Sequence, residues 1–266
     1  MKRTFPTEFL YQVFALIIAV IIVHSLYVTI VRPRATDVLA EQNLRMQQEA
    51  SYTPERSVWV LIRDFEQESC FILMLWAFAI MGYKAKTALS ERSLLQRELV
   101  PIRDGVRILP EDSREYARTI QALPDRMRAM LLPRVLLSSL ERFGSTRNVQ
   151  DVSSVANTLC ESESERLESE LSMIRYIAWA IPSVGFIGTV RGIGDALGQA
   201  HRAVDGDIAG VTESLGTAFN STFIALLISI VVMFLVHQLQ LLQERLVFDT
   251  QTYIDHNLIR HMQARD

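Results

Sequence analysis

An apolar stretch in the third quarter of the chain constrains the fold most. It runs from Ile181 to Gly194 and is apolar enough to enter a bilayer, yet it contains a proline, four glycines, a serine, a threonine and an arginine. Small residues let helix backbones approach closely in lipid, where the hydrophobic effect does not drive helices together. Thr189 lies between Gly188 and Gly192 on this segment. The pattern predicts a membrane helix packed tightly against another helix.

Four apolar segments predict an all-α membrane protein with four transmembrane helices. They lie at about residues 9–31, 70–83, 173–193 and 215–236 of the 266-residue chain, which is 49% hydrophobic and 21% charged. A helix needs about 20 apolar residues to cross a bilayer, so the short second segment leaves three spans as an alternative. The first segment is longer than the apolar region of a signal peptide, so we expect it to stay in the protein.

The spans divide the chain into four predicted parts. These are an N-terminal membrane hairpin (1–83), a cytoplasmic helical domain (84–172), a membrane core (173–238) and a C-terminal cytoplasmic helix (239–266). Basic residues flank spans on the cytoplasmic side. Lys2 and Arg3 precede the first span, and Lys84 and Lys86 follow the second. We therefore expect both termini and the large loop to be cytoplasmic, in a multi-pass protein.

The large inner loop carries mixed charge. Four prolines divide it, and apolar residues spaced by three and four from Asn148 predict one long helix that is uninterrupted until Pro182. Arg114, Glu115 and Arg118 belong to an alternation of basic and acidic residues. Such a face is either simply solvated or a docking surface for a partner, and its mixed sign argues against nucleic-acid binding.

A stripe of small and hydroxyl residues marks the fourth span. Helical spacing places Ala218, Thr222, Ala225 and Ser229 on one face. Gly185, Thr189 and Gly192 similarly share a face of the third span. Two such helices either line a narrow ion passage or pack tightly, with each threonine bonded to its own i−4 carbonyl. The spacing leaves both interpretations open.

Other polar residues in the spans have specific expected roles. Pro182 frees a backbone carbonyl that a cavity or a neighbour must satisfy. Asn220 and His24 are expected to make interhelical hydrogen bonds. Arg191 either reaches the interface or lines an outer vestibule. The cysteines, Cys70 and Cys160, have no metal-like spacing, and buried or interfacial free thiols are expected. Neither a metal site nor a cofactor is predicted.

The four apolar segments contain no Asp, Glu or Lys. A carboxylate is the usual proton carrier in a membrane relay. If the protein moves protons, the titrating group must come from another chain. The chain also lacks the P-loop, HExxH and GxSxG motifs, so an enzyme is not predicted.

Two motifs in the last two spans resemble those of the MotA/TolQ/ExbB proton-channel family. The third span reads Pro182-x-x-Gly185-x-x-Gly188-Thr189-Val190-x-Gly192. The fourth reads Ala218-Phe-x-Ser221-Thr222-x-x-Ala225-Leu226. The two-part pattern in this order is specific, and it covers about a quarter of the chain.

The resemblance implies an inner-membrane subunit of an ion-driven motor, with residues 173–238 as a proton-channel-like core. It implies a pentamer around a dimer of a single-span partner resembling MotB, TolR or ExbD, which contributes the proton-carrying aspartate. It places Thr189, Thr222, Ser221, Pro182 and Asn220 along the ion pathway. Helix packing is assigned to the small residues Gly185, Gly188, Gly192, Ala218 and Ala225.

The sequence departs from the family pattern at several positions. Ser221 replaces a threonine, Ala225 replaces a glycine, and Arg191 stands where the family has an apolar or aromatic residue. The second proline of MotA, in its last span, has no counterpart here, so a flagellar stator is not predicted. The alternative function is a non-conducting membrane scaffold that recruits a cytoplasmic partner through Arg114, Arg118 and Glu115.

Overall fold

The computed structural model describes residues 7–48, 57–101, 106–204 and 208–263. These residues form helices and their connections, with one isolated β-bridge between Ile108 and Met262. The all-α prediction is therefore confirmed. The chain divides into two compact units, Met1–Gly82 with Met173–Val236 and Tyr83–Ser172 with His237–Asp266, and each is described by itself below.

Four helical segments are long and apolar enough to cross a membrane. They are Glu8–Met46, Phe65–Gln96, Val149–Gly198 and Ala209–His261. Large apolar side chains stay exposed on the membrane unit, as expected where lipid or another protein chain covers them. Examples are Phe14, Ile21, Trp179, Phe186, Phe219 and Phe234. The prediction of four spans is confirmed, and the chain is a multi-pass membrane protein.

The first membrane segment has a local irregularity. Helix α1 (Thr7–Leu26) is followed by a π-helical turn (Tyr27–Val31) and then by α2 (Arg32–Gln48). Pro33 lacks a backbone N–H, and its ring crowds the carbonyl four residues earlier. A π-turn directly before a proline absorbs this conflict without ending the helix. The helix therefore continues beyond the predicted end near residue 31.

The second apolar segment lies in a longer helix than its hydropathy indicated. After the short α3 (Val58–Leu61), α4 spans Phe65–Arg92 and a 3₁₀ turn follows at Ser93–Gln96. Its start lies five residues before the predicted one, because the polar residues 66–69 are helical. Glu66 and Glu68 therefore belong to the spanning helix, although the apolar segment 70–83 left them outside.

The remaining long helices carry the predicted core motifs. Helix α8 (Val149–Glu170) begins where the Asn148 side-chain oxygen accepts a hydrogen bond from the backbone N–H of Gln150, at 2.9 Å. Helix α9 (Ser172–Gly198) contains Pro182, α10 covers Ala200–Val204 and α11 covers Ala209–Asn257. One uninterrupted helix from Asn148 was expected. The helical segment does continue from Val149 to Gly198, with one tighter turn at Leu171, whose N–H bonds three residues back to Glu168.

The second unit has an apolar core. Helices α5 (Ser113–Gln121), α6 (Asp125–Arg128) and α7 (Leu131–Thr146) pack with α8 and the end of α11. The fully buried side chains include Leu136, Leu140, Phe143, Val152 and Ile254. Cys160 is buried in this core, and burial raises the pKa of its thiol to about 11. Both cysteines are free and buried, as predicted.

Candidate functional site

Helices α9 and α11 run antiparallel and touch through their small residues. A Cβ added at Gly185 lies 2.3 Å from the Ala225 Cβ, and one added at Gly188 lies 2.6 Å from the Ser221 Cβ. At Gly192 the nearest atoms, Cβ and N of Ala218, are 2.8 Å away. Real Cβ atoms do not approach this closely. The three glycines therefore set the separation of the two backbones.

The threonines meet inside this contact. The hydroxyls of Thr189 and Thr222 form a hydrogen bond with each other across the two helices. Thr189 Oγ1 also lies 3.1 Å from the Ala218 carbonyl oxygen, and Thr222 Oγ1 lies 3.1 Å from the Gly185 carbonyl oxygen. A hydroxyl has one hydrogen and two acceptor lone pairs. The pair can therefore exchange donor and acceptor roles among these oxygens.

The structure contains contacts between the helices and also the bonds to an i−4 carbonyl that tight packing predicts. Thr189 Oγ1 does approach its own i−4 carbonyl, at Gly185, but the distance is 3.4 Å and longer than the interhelical contacts. Ser221 donates to its own i−4 carbonyl at Thr217, at 2.9 Å. The threonine pair thus joins two helices, while the neighbouring serine bonds within its helix.

The neighbouring helix supplies a hydrogen bond to the backbone carbonyl that Pro182 leaves without a helical partner. A proline at position 182 cannot donate to the carbonyl of Ala178, four residues earlier. The Ser229 hydroxyl of α11 lies 3.3 Å from that carbonyl oxygen and donates to it. The fourth member of the predicted stripe therefore compensates for the proline in the third span.

The first turn of α4 packs on the same contact. Gln67 is fully buried, and its Nε2 lies 3.4 Å from the Ser221 Oγ. The Glu66 Cγ lies 3.0 Å from the position of a Cβ at Gly188. Glu66 also accepts from Arg191, with Nη2 and Oε2 2.8 Å apart. Arg191 is therefore held by an ion pair with the second helix, a partner that sequence reasoning missed.

Glu68, two residues after Glu66 on α4, is also paired. Its carboxylate is 7% exposed and contacts His24, with 2.7 Å between Oε1 and Nδ1, and also Arg32. The interhelical bond expected for His24 is confirmed. Both carboxylates of this turn are thus engaged by cations of other helices.

The remaining predicted site residues lie apart from these contacts. Asn220 is half-buried, and its side chain makes no hydrogen bond to any described residue, so the expected interhelical bond is absent from this part of the chain. Arg114, Glu115 and Arg118 lie exposed on α5, in the other unit. No group of three His, Cys, Asp or Glu side chains suited to a metal ion occurs among the described residues.

The fold and the site define a membrane protein in which two antiparallel helices present a shared hydroxyl pair. Residues 128–252 match the model of the MotA/TolQ/ExbB proton channel family. This range contains both motifs of the third and fourth spans, so the resemblance to this family that the motifs indicated is confirmed. No curated protein and no solved structure matched it. The match supports a membrane subunit of the ion-channel type.

Proposed function

We propose that the chain is the channel-wall subunit of a motor in the bacterial inner membrane, driven by an ion-motive force. The observation that carries this proposal is the Thr189–Thr222 hydroxyl pair between two small-residue helices, inside the matched family region. Ser221, Pro182 and Asn220 flank this pair along the pathway. Hydroxyls that interchange donor and acceptor roles suit the transfer of a proton or the passage of a hydrated cation.

The proton carrier comes from a partner chain. Glu66 and Glu68 lie in the first turn of α4, which packs on the small-residue contact, and each is paired with a cation. Both carboxylates therefore hold helices together as members of ion pairs. A single-span partner resembling MotB, TolR or ExbD supplies an aspartate instead. Protonation neutralises that aspartate, and repeated protonation steps drive rotation or force on the partner.

The subunits assemble around that partner, with a pentamer as the proposed stoichiometry. Helices α9 and α11 keep large apolar side chains exposed, and these include Phe186, Val190, Phe219 and Phe223. In an oligomer, neighbouring copies and the partner helix cover part of this surface.

Both termini and the 84–172 region face the cytoplasm, following the distribution of basic residues.

The composition of the purified complex tests this proposal. The chain carries a C-terminal affinity tag in its native host, and native mass spectrometry gives the mass of the extracted assembly. We expect five copies with two copies of a one-span protein that has an aspartate in its span. Conversion of that aspartate to asparagine should stop ion flux in proteoliposomes. Assembly without such a partner contradicts the proposal.

The second candidate is a non-conducting scaffold that recruits a cytoplasmic partner. It is favoured by the exposed Arg114 and Arg118, whose side chains contact no described residue through a hydrogen bond or ion pair. Charge reversal at both arginines then abolishes biological function while ion flux persists. The channel proposal expects flux and function to be lost together at the threonine pair.

A further inference from the structure

A groove lies between α5 and α7 in the second unit. Its volume is about 710 Å³, within the range of ligand-binding clefts. Its apolar lining comes from Pro110, Ala117 and Leu140. Its cationic lining comes from Arg114, Arg118 and Arg147. The groove therefore combines an apolar wall with several guanidinium groups.

The three guanidinium groups have no partner among the described residues. Other arginines of the same unit are paired: Arg128 with Asp125, and both Arg134 and Arg166 with Glu163. The three groove arginines are exposed and make no such hydrogen bond or ion pair within the described ranges. Arg114 and Arg118 are four residues apart on α5, so their side chains follow one helix face.

A buried hydroxyl also belongs to the groove without a partner. Ser113 is 2% exposed, and its Oγ makes no hydrogen bond within the described structure. It is the first residue of the nine-residue α5, where backbone N–H groups lack helical partners. An unpaired buried hydroxyl is unfavourable, and a bound acceptor removes that penalty. Ser113 therefore offers an independent donor beside the arginines.

The balance of charge restricts the class of ligand. Glu111 and Glu141 also line the groove, so three cations face two carboxylates. A polyphosphate or nucleic acid needs a more uniformly basic surface. A peptide with carboxylates between apolar side chains matches both the arginines and the apolar wall. A carboxylate also accepts a guanidinium through two parallel hydrogen bonds.

We propose that this groove docks an acidic, partly apolar peptide segment of a protein partner. Arg114, Arg118 and Arg147 bind its carboxylates, Ser113 donates to one of them, and the buried Leu140 closes the floor of the groove beneath it. The proposal holds whether or not the chain conducts ions, because the groove belongs to a unit separate from the threonine pair.

Fluorescence polarisation of the full-length protein in detergent tests the proposal. The probe is a fluorescein-labelled octapeptide that alternates glutamate and leucine, and its twin has glutamine in place of glutamate. We expect the glutamate peptide to bind and the twin to bind at least about tenfold more weakly. Arg118→Glu should weaken binding of the glutamate peptide by about tenfold or more. Arg126→Glu, an equal charge change on an exposed residue outside the groove lining, should leave it unchanged.

Two neutral substitutions separate local binding from general electrostatics. A Cβ at Gly144 has only ordinary contacts, the nearest 3.5 Å from the Ser113 Cβ, so Gly144→Ala should bind normally while Gly144→Phe blocks the groove. Ser113→Ala should weaken binding about threefold without lowering the unfolding temperature, since it removes an unpaired hydroxyl.

Three results overturn the proposal. The first is equal binding of the two peptides, and the second is equal weakening by Arg118→Glu and Arg126→Glu. The third is displacement of the peptide by inorganic phosphate at equal or lower concentration, which assigns the groove to a small anion. Circular dichroism of each variant establishes that its helices are intact.

Discussion

Arg191 of α9 and Glu66 of α4 form an ion pair, with 2.8 Å between Nη2 and Oε2. The two residues are 125 positions apart in the chain. The Glu66 side chain is 11% exposed and that of Arg191 is 43% exposed, so the ion pair is partly buried. It joins the second spanning helix to the third, beside the glycine that packs on Ser221.

Glu66→Gln should destabilise the membrane unit because it leaves the arginine charge unpaired. The expected loss is about 1–3 kcal/mol, between the values for exposed and fully buried pairs. Thermal unfolding in detergent measures it. The double variant Glu66→Gln/Arg191→Gln should recover most of the loss, and Arg202→Gln on an exposed residue should have little effect. A double variant as unstable as Glu66→Gln would contradict a paired role.

Glycine substitutions test the close contact of α9 and α11. Gly185→Ala places a Cβ 2.3 Å from that of Ala225 and should separate the helices and lower the unfolding temperature. The matched control is Gly194→Ala, which meets nothing within 4 Å and should be neutral or slightly stabilising, since alanine favours helix by about 1 kcal/mol. Adding Ala225→Gly to Gly185→Ala should restore part of the stability. Equal effects at positions 185 and 194 would be inconsistent with the contact.

Ser229 and Pro182 should be energetically coupled. Ser229→Ala removes the donor to the Ala178 carbonyl, which Pro182 leaves without its helical bond, and should cost about 1 kcal/mol. In a Pro182→Ala background the residue at position 182 supplies an N–H to that carbonyl. The same serine substitution should then cost clearly less. A double-mutant cycle of unfolding free energies measures this coupling, and strict additivity would rule it out.

Glu91 gives the second unit a specific pH dependence. Burial raises the pKa of its carboxyl above the ordinary 4.5, although the backbone N–H of Leu131 donates to it at 3.0 Å. A raised acid pKa means that the folded state binds the proton more tightly than the unfolded state. The contribution of Glu91 to stability therefore falls as pH rises from about 4.5 through the folded pKa.

Comparison with Glu91→Gln isolates this contribution. The glutamine retains an oxygen acceptor for Leu131 but cannot ionise. Relative to the native chain, the variant should gain stability as pH increases from about 4.5 to 8, measured by chemical unfolding at each pH. Glu141→Gln, on an exposed residue, is the control. A difference between native chain and Glu91→Gln that does not change with pH would refute the assignment.

The sequence allowed the four spans and the small-residue faces to be predicted because both are periodic and local. Gly185, Gly188 and Gly192 repeat at helical spacing, and so do the residues they meet on α11. Hydropathy placed the second span at 70–83 because it identifies apolar runs, whereas residues 66–68 are polar and helical. Their stabilising partners, Arg191, Ser221 and the His24–Arg32 region, are far away in sequence. No local pattern indicated these pairings.

Two local features were also not predictable from the spacing of apolar residues: the tighter turn at Leu171 and the composition of the groove. Apolar spacing continues through Leu171, so it did not indicate that the helix tightens there. The groove combines α5 with the end of α7, where Arg147 adopts a left-handed conformation with φ of 55°. The sequence identified Arg114 and Arg118 as docking candidates, but the fold adds Arg147 and Ser113, and Glu115 does not line the groove.

Ion flux through the threonine pair is the most direct test of the proposed function. The complex is purified from its native host through a tag on this chain, reconstituted in liposomes and assayed for proton uptake under an imposed potential. Thr222→Val and Thr189→Val keep the side-chain shape but remove the paired hydroxyls. Thr29→Val is the control, because the Thr29 hydroxyl donates to the Ser25 carbonyl one turn earlier in the same helical segment, at 2.7 Å, and to no other helix within the described ranges. We predict that flux falls at least about tenfold in both pathway variants and is unchanged in the control. Undiminished flux in Thr222→Val, with the assembly intact, would contradict the assignment of the ion pathway.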